Sequence, residues 1–197
     1  MISHLGPQLG VADGIALSHK LKKEKKATLV FTGDGGASEG DFHEALNVAS
    51  VWGLPVLFVV ENNQWGLSTP SREQFNFDSF LVKGPAYGME AHSIDGNNIL
   101  DVYRKAKELS ESMRENPRPV LLECKTFRVR GHEEASGTKY YPEGLIDAWS
   151  ERDPVDAFGA FLEKKKWLSA KERETWKQEE KEAIQQALED ALREPEP

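Results

Sequence analysis

Asp34 and Asn63 are the two residues whose chemical types and places in the chain suggest metal chemistry. Each stands just past an apolar run of strand length and composition, Leu29–Phe31 and Leu54–Val60 respectively. Asp34 is set in Gly33-Asp34-Gly35-Gly36, and Asn63 follows Asn62. A carboxylate and a neutral amide oxygen are the hard ligands that magnesium prefers, together with phosphate oxygens. Glycines at 33, 35 and 36 let the backbone come close to a ligand, and positive φ is expected there. The backbone N–H groups at the start of the following helix would favour an anion such as a diphosphate. The two turns together read as a metal–diphosphate clamp.

The elements that must hold this clamp follow from periodicity. Helical spacing between the two apolar runs makes a strand–helix–strand unit, so both turns leave the ends of neighbouring parallel strands, where open α/β sheets bind ligands. Ser38 is expected as the cap of that helix with Asp41 in capping-box position. Phe42, Ala45, Leu46, Ala49, Val51 and Trp52 would form its buried side, and Gly53 its stop. An earlier helix is predicted over Gln8–Leu21, with Leu9, Ala12, Ile15, Ala16 and Leu17 inward. Trp65-Gly66 reads as a turn, and Thr69–Tyr87 as a loop whose Phe75, Phe77 and Phe80 pack together. A strand at Glu90–Ile94 and an Asn98-capped helix to Glu115 come next. That helix would turn Leu100, Val102, Tyr103, Ala106, Leu109 and Met113 inward, and Val120–Thr126 forms another buried strand. The expected fold class is α/β, a mostly parallel sheet with helices on both faces. Residues 1–150 would form this domain and 151–197 a helical extension of it. The extension has a helix from Pro154 to Lys165 and a Ser169-capped one to Arg193, whose role would be bracing or docking.

Composition narrows the partners. A formal net charge of −8, with 29% charged residues, argues against nucleic acid and anionic membranes as partners. No apolar run is long enough to span a bilayer. The single cysteine, Cys124, allows no intrachain disulfide and suits a reducing cytoplasm; its apolar setting reads as a packed thiol. The basic run from Lys20 to Lys26 reads as a solvated connection.

GDGGASEGDFHEALNVA followed by ENNQWGLSTP resembles the thiamine diphosphate motif of the alpha subunit, or alpha half, of the decarboxylating component of 2-oxo acid dehydrogenase complexes, branched-chain and pyruvate types included. The resemblance extends over nearly the whole chain. It implies the thiamin diphosphate-binding fold, thiamine diphosphate and Mg2+ as cofactors, and Asp34, Asn63 and the backbone carbonyl of Trp65 as metal ligands. The turn Gly33, Asp34, Gly35 and Gly36 would meet the diphosphate, and backbone groups near Ser3 and Leu5 the aminopyrimidine ring. His132, in Arg130-Gly131-His132, would be the catalytic histidine that reaches the diphosphate or the reacting centre. Glu133 stands where animal members carry a regulatory serine, so phosphorylation is not expected there. Glu61 replaces an arginine of some branched-chain members, which tilts the expectation towards a pyruvate-like enzyme.

The implied reaction is oxidative decarboxylation of a 2-oxo acid with acyl transfer to a lipoyl group. Its partners would be a beta subunit or beta half and a lipoyl-bearing acyltransferase, in a heterotetramer-like pairing. The glutamate that activates the cofactor belongs to the beta partner, so the isolated chain is expected to be inactive. Members of the family carry a sizeable region ahead of the part matched here, so a truncated or separately encoded piece is expected. Acetoin dehydrogenase, a transketolase-like enzyme and a non-catalytic assembly module are the alternative readings.

Overall fold

The computed structural model describes residues 5–133 and 135–195. The chain divides into two compact units, Met1–Glu151 and Arg152–Pro197. In the first, α1 (Pro7–Leu21) leads into β1 (Thr28–Gly33), and a 3-10 turn at Gly36–Ser38 precedes α2 (Gly40–Trp52). Then come β2 (Val56–Asn62), a small hairpin of β3 (Trp65–Gly66) and β4 (Thr69–Pro70), the single turn α3 (Lys83–Ala86) and β5 (Glu90–Asp95). The unit ends with α4 (Ile99–Glu115), β6 (Val120–Lys125) and α5 (Leu145–Ser150).

The sheet order is β1-β2-β6-β5, and every neighbouring pair is parallel. Central strands of such a sheet are covered on both faces, which is why β2 and β6 read as mostly apolar runs rather than alternating ones. On one face Val56, Phe58, Val60 and Leu121 pack with Leu9, Ala12 and Ala16 of α1 and Phe42, Leu46 and Ala49 of α2. On the other, Leu57, Val59, Val120 and Leu122 pack with Leu109 and Met113 of α4. Helices therefore lie on both faces, the architecture expected from the sequence. Phe58 and Leu57 are fully buried, and each such side chain is worth about 1.5–3 kcal/mol of transfer free energy. The parallel register aligns Gly33 with Glu61, and Glu61 with Cys124. Asp34, Asn63 and the segment after Lys125 consequently leave the sheet along one edge. Cys124 is buried, and burial pushes its thiol up to about 11, which fits a packed thiol.

Local signals set several boundaries as predicted. The Asn98 carboxamide oxygen accepts from the backbone N–H groups of Leu100 and Asp101, and Gly53 ends α2 in the left-handed region at φ 56. Others are corrected. Ser38 does not cap α2: the 3-10 turn uses it first, its N–H bonding Gly35 O at 3.1 Å, and Glu39 takes the cap position without a side-chain bond. Val51 and Trp52, at 71% and 51% exposed, stay out of the core, while Ala49 in the same turn is fully buried. Tyr103 is 65% exposed, and only Leu109 and Met113 of α4 are buried. Trp65-Gly66 is a paired strand rather than a simple turn. The Thr69–Tyr87 stretch contains β4, α3 and two 3-10 turns, around a stack of Phe75, Phe77 and Phe80 with centroids 4.2–5.1 Å apart.

The second unit pairs α6 (Pro154–Lys164) with α7 (Ala170–Arg193). Asp153 caps α6, accepting from Val155 and Asp156 N–H groups at 2.8 and 3.2 Å. A full capping box, Ser169 with Glu172, opens α7. Arg173 ties the two helices through Asp156 and Glu163, crossing α6 where Gly159 has no side chain to obstruct it.

Candidate functional site

The edge where β1 and β2 end brings together most of the residues that the sequence singled out. Asp34 is 1% exposed, and neither of its carboxylate oxygens has a hydrogen-bond partner. Burial raises its pKa against the opposing pull of the Asp34, Asn63 and Gly35 backbone N–H groups and the Arg128 charge. Those N–H groups lie near it without making bonds of normal geometry. A buried, unsatisfied carboxylate costs a fold at least about 1–3 kcal/mol, so one that persists calls for a ligand. A divalent cation would satisfy both oxygens and reverse the pKa shift.

Asn63 continues the edge. Its Oδ1 accepts from the Trp65 N–H at 2.9 Å, which aims the amide back over the turn and leaves that oxygen a second lone pair. Trp65 faces Pro70 across the β3–β4 hairpin, and a proline has no N–H to offer the Trp65 carbonyl. These are the three groups that would hold a cation, and their donor set is the hard-oxygen one that magnesium takes.

The glycines act differently from expectation. None of Gly33, Gly35 and Gly36 has positive φ; Gly35 sits at φ −62 in the right-handed region. Their use is room. A Cβ on Gly35 would stand 3.0 Å from the Gly66 Cα, and one on Gly36 2.6 Å from Thr32 Oγ1. Gly35 thus lets the first turn lie directly against the hairpin that carries Trp65. Gly33 has open space around it, its nearest neighbour being the Glu61 carbonyl at 4.0 Å. The start of α2 has no side-chain cap, so its first N–H groups are available to an anion.

Arg128 joins His132 to this edge. Its guanidinium donates to the Leu67 carbonyl at 2.8 Å, to the Tyr140 hydroxyl at 3.2 Å and to His132 Nδ1 at 2.9 Å. A guanidinium can only donate, so Nδ1 accepts and the ring proton is on Nε2. His132 is exposed and presents an Nε2–H donor. Arg128 Nε is buried and without a partner. The Trp65 ring packs against Tyr141 at 4.9 Å and Tyr140 at 5.6 Å, a second tie between the loop and the hairpin. Neither tyrosine, nor a role for Arg128, was read from the sequence; the aromatic pair two residues after Thr138 was the available signal. Leu5 is 64% exposed and makes no hydrogen bond to the other predicted site residues among the described ones. Ser3 lies outside the described residues.

Behind the edge, Asn62 and Glu123 form a network that the sequence did not announce. Asn62 Nδ2 donates to Glu123 Oε1 at 2.7 Å, and Asn62 Oδ1 accepts from the Gln64 N–H at 3.0 Å. Glu123 is wholly buried, and it also accepts from the Ser79 hydroxyl and the Phe80 N–H. Burial pushes its carboxyl up, but the bonds from Ser79, Ser93, Asn62 and Phe80 outweigh that and hold it below its ordinary range.

Known proteins match this chain along most of its length. The 2-oxoisovalerate dehydrogenase subunit alpha 2 of Arabidopsis thaliana mitochondria is 41% identical over 170 residues, 85% of this chain and 36% of that protein. The pyruvate dehydrogenase E1 component subunit alpha of Bacillus subtilis is 36% identical over 193 residues, 97% of this chain and 52% of that protein. The mitochondrial 2-oxoisovalerate dehydrogenase subunit alpha of Dictyostelium discoideum is 40% identical over 178 residues, 88% of this chain and 40% of that protein. The chain therefore spans about half or less of the length of these three relatives. Identity to the two 2-oxoisovalerate proteins exceeds that to the pyruvate protein. The family described as dehydrogenase E1 component matches residues 2–197, and to that family the chain belongs.

Proposed function

We propose that this chain supplies the metal- and diphosphate-holding half of a 2-oxo acid dehydrogenase active site, working beside a beta subunit. Family membership implies thiamine diphosphate as the cofactor, and Mg2+ is the cation the donor set fits. The observation that carries the reading is the buried Asp34 carboxylate with both oxygens unpartnered, beside the Asn63 amide and the Trp65 carbonyl.

When bound, thiamine diphosphate supplies the electron sink for loss of carbon dioxide from a 2-oxo acid. The chain's own residues bind and orient. Asp34, Asn63 and the Trp65 carbonyl would hold the cation, and the cation would fix the diphosphate. The uncapped N–H groups at the start of α2 would share its charge. Arg128 holds His132 in the tautomer whose Nε2–H can donate to a phosphate or to an oxygen that gains charge during reaction. The acyl group would pass to a lipoyl group carried by a partner acyltransferase.

The test is reconstitution. The chain, a cognate beta subunit, thiamine diphosphate and Mg2+ should together release carbon dioxide from 2-oxoisovalerate or pyruvate, and either subunit alone should not. Activity of this chain alone, or none from the complete mixture with any short 2-oxo acid, would overturn the proposal.

A further inference from the structure

A cleft of about 480 Å³ runs between α1 and α2, and its lining includes Gly10, Asp13, Gly14, Asp41, Glu44 and Trp52. Asp13 is the anomaly. It lies mid-helix among Leu9, Ala12 and Ala16, is only 5% exposed, and its Oδ1 has no hydrogen-bond partner. The other charged side chains of the lining, Asp41 and Glu44, are also acidic, so no described residue of the cleft offers Asp13 a countercharge. A carboxylate in that setting lacks the pairing that buried charges ordinarily have.

The surroundings point to what would supply it. A Cβ at Gly10 or Gly14 would meet nothing within 4 Å, so neither glycine makes room for a neighbour within this chain. Their effect is to leave the outer surface of α1 low on either side of Asp13. Among the apolar side chains of α1 and α2 that stand in solvent are Val11 at 61% exposure, Ile15 at 46%, Val51 at 71% and Trp52 at 51%. A small free cation could satisfy the carboxylates, but it would leave these apolar groups wet. A protein surface that carries one basic side chain on an apolar ground answers both features.

We infer that the α1–α2 cleft docks a partner subunit through an arginine or lysine side chain that enters between Gly10 and Gly14 and pairs with Asp13. Asp41 and Glu44 add to the negative field that draws it in. Burial holds the Asp13 carboxyl up at about 7 in the unpartnered chain, which agrees with the missing countercharge. The identity of the partner as the beta subunit rests on the function proposed above; the cleft's requirement for a basic side chain does not.

The experiment compares wild type, Asp13→Asn and Val11→Lys. Sedimentation velocity measures affinity for the cognate beta subunit, and thermal unfolding follows the same chains unmixed. Asp13→Asn should weaken binding by at least about tenfold, while the melting temperature of the unmixed chain stays level or rises, because an unpaired buried charge has been removed. Val11→Lys, at an exposed position of α1 next to Gly10, should weaken binding similarly without altering the unmixed chain. A residue satisfied within its own chain would behave oppositely, so a fall in the melting temperature with Asp13→Asn contradicts the inference. Binding of both variants within twofold of wild type overturns the docking site and leaves the proposed function standing. Absence of binding by wild type overturns the pairing and the docking site together.

Discussion

Asp34, just past the end of β1, and Glu123, within β6, are both nearly or wholly buried carboxylates, and their environments are opposite. Glu123 accepts from Asn62, Ser79 and the Phe80 N–H, and its pKa is held down. Asp34 has no partner for either oxygen, and its pKa is raised. Burial alone therefore does not distinguish a structural acid from a functional one; satisfaction does. Glu123 is complete within the chain, and it anchors the Asn62 end of β2 from which the Asn63 loop departs. Asp34 is left without partners among the described residues, and in the proposed function a bound cation would complete it.

The contrast can be broken most forcefully at Glu123. Glu123→Ala should cost about 3 kcal/mol or more, because it strands the buried Asn62 and Phe80 donors. Urea denaturation measures this, and a loss below about 1 kcal/mol would make the network ornamental. Gly35→Ala should cost about 1–3 kcal/mol by driving a Cβ towards the Gly66 backbone. It should also weaken cofactor binding, since the two turns would part, and calorimetry separates the two effects.

Asp34→Asn should go the other way. Without metal it should leave the chain level or more stable by about 1 kcal/mol, as an unpaired buried charge is removed. A destabilisation of that size would mean that Asp34 is already satisfied. The finest test is stability against pH. Glu123, depressed, contributes stability that is present above the unfolded carboxyl pKa and is lost as pH falls through its lower folded value. Asp34, raised, holds its proton longer when folded, so its penalty grows as pH climbs from its unfolded towards its folded pKa and persists above that. Glu123→Gln should flatten the acid side of the profile, and Asp34→Asn the decline above it.

What could be read from the sequence was what is local. Asn98, Gly53 and Ser169 act within a turn of their helices, and the strands β2 and β6 are visible as apolar runs, that of β6 interrupted by Glu123. Asp34 and Asn63 were legible because both types and both strand ends are in the text. Glu123 was not, because its partners Asn62 and Ser79 are 61 and 44 residues away along the chain. The glycine turn misled for a related reason: Gly35 is small to admit the distant Gly66 hairpin, and none of its glycines reaches positive φ. Periodicity placed Val51, Trp52, Ile15 and Tyr103 inward, yet all four are exposed. Asp13 reversed the same rule by going inward as a charge. The short α5 opens at Gly144 with no side-chain cap, so no local signal marked it.

The central claim is that Asp34 lacks partners because a cation completes it. Isothermal titration of thiamine diphosphate into the assembled subunits, with and without Mg2+, tests it most directly for wild type and Asp34→Asn. The account predicts tight, Mg2+-dependent binding by wild type and a loss of at least about a hundredfold in Asp34→Asn, the approximate worth of a charged ligand left without its ion. Equal affinity in the two proteins, or binding by wild type that ignores Mg2+, would contradict it.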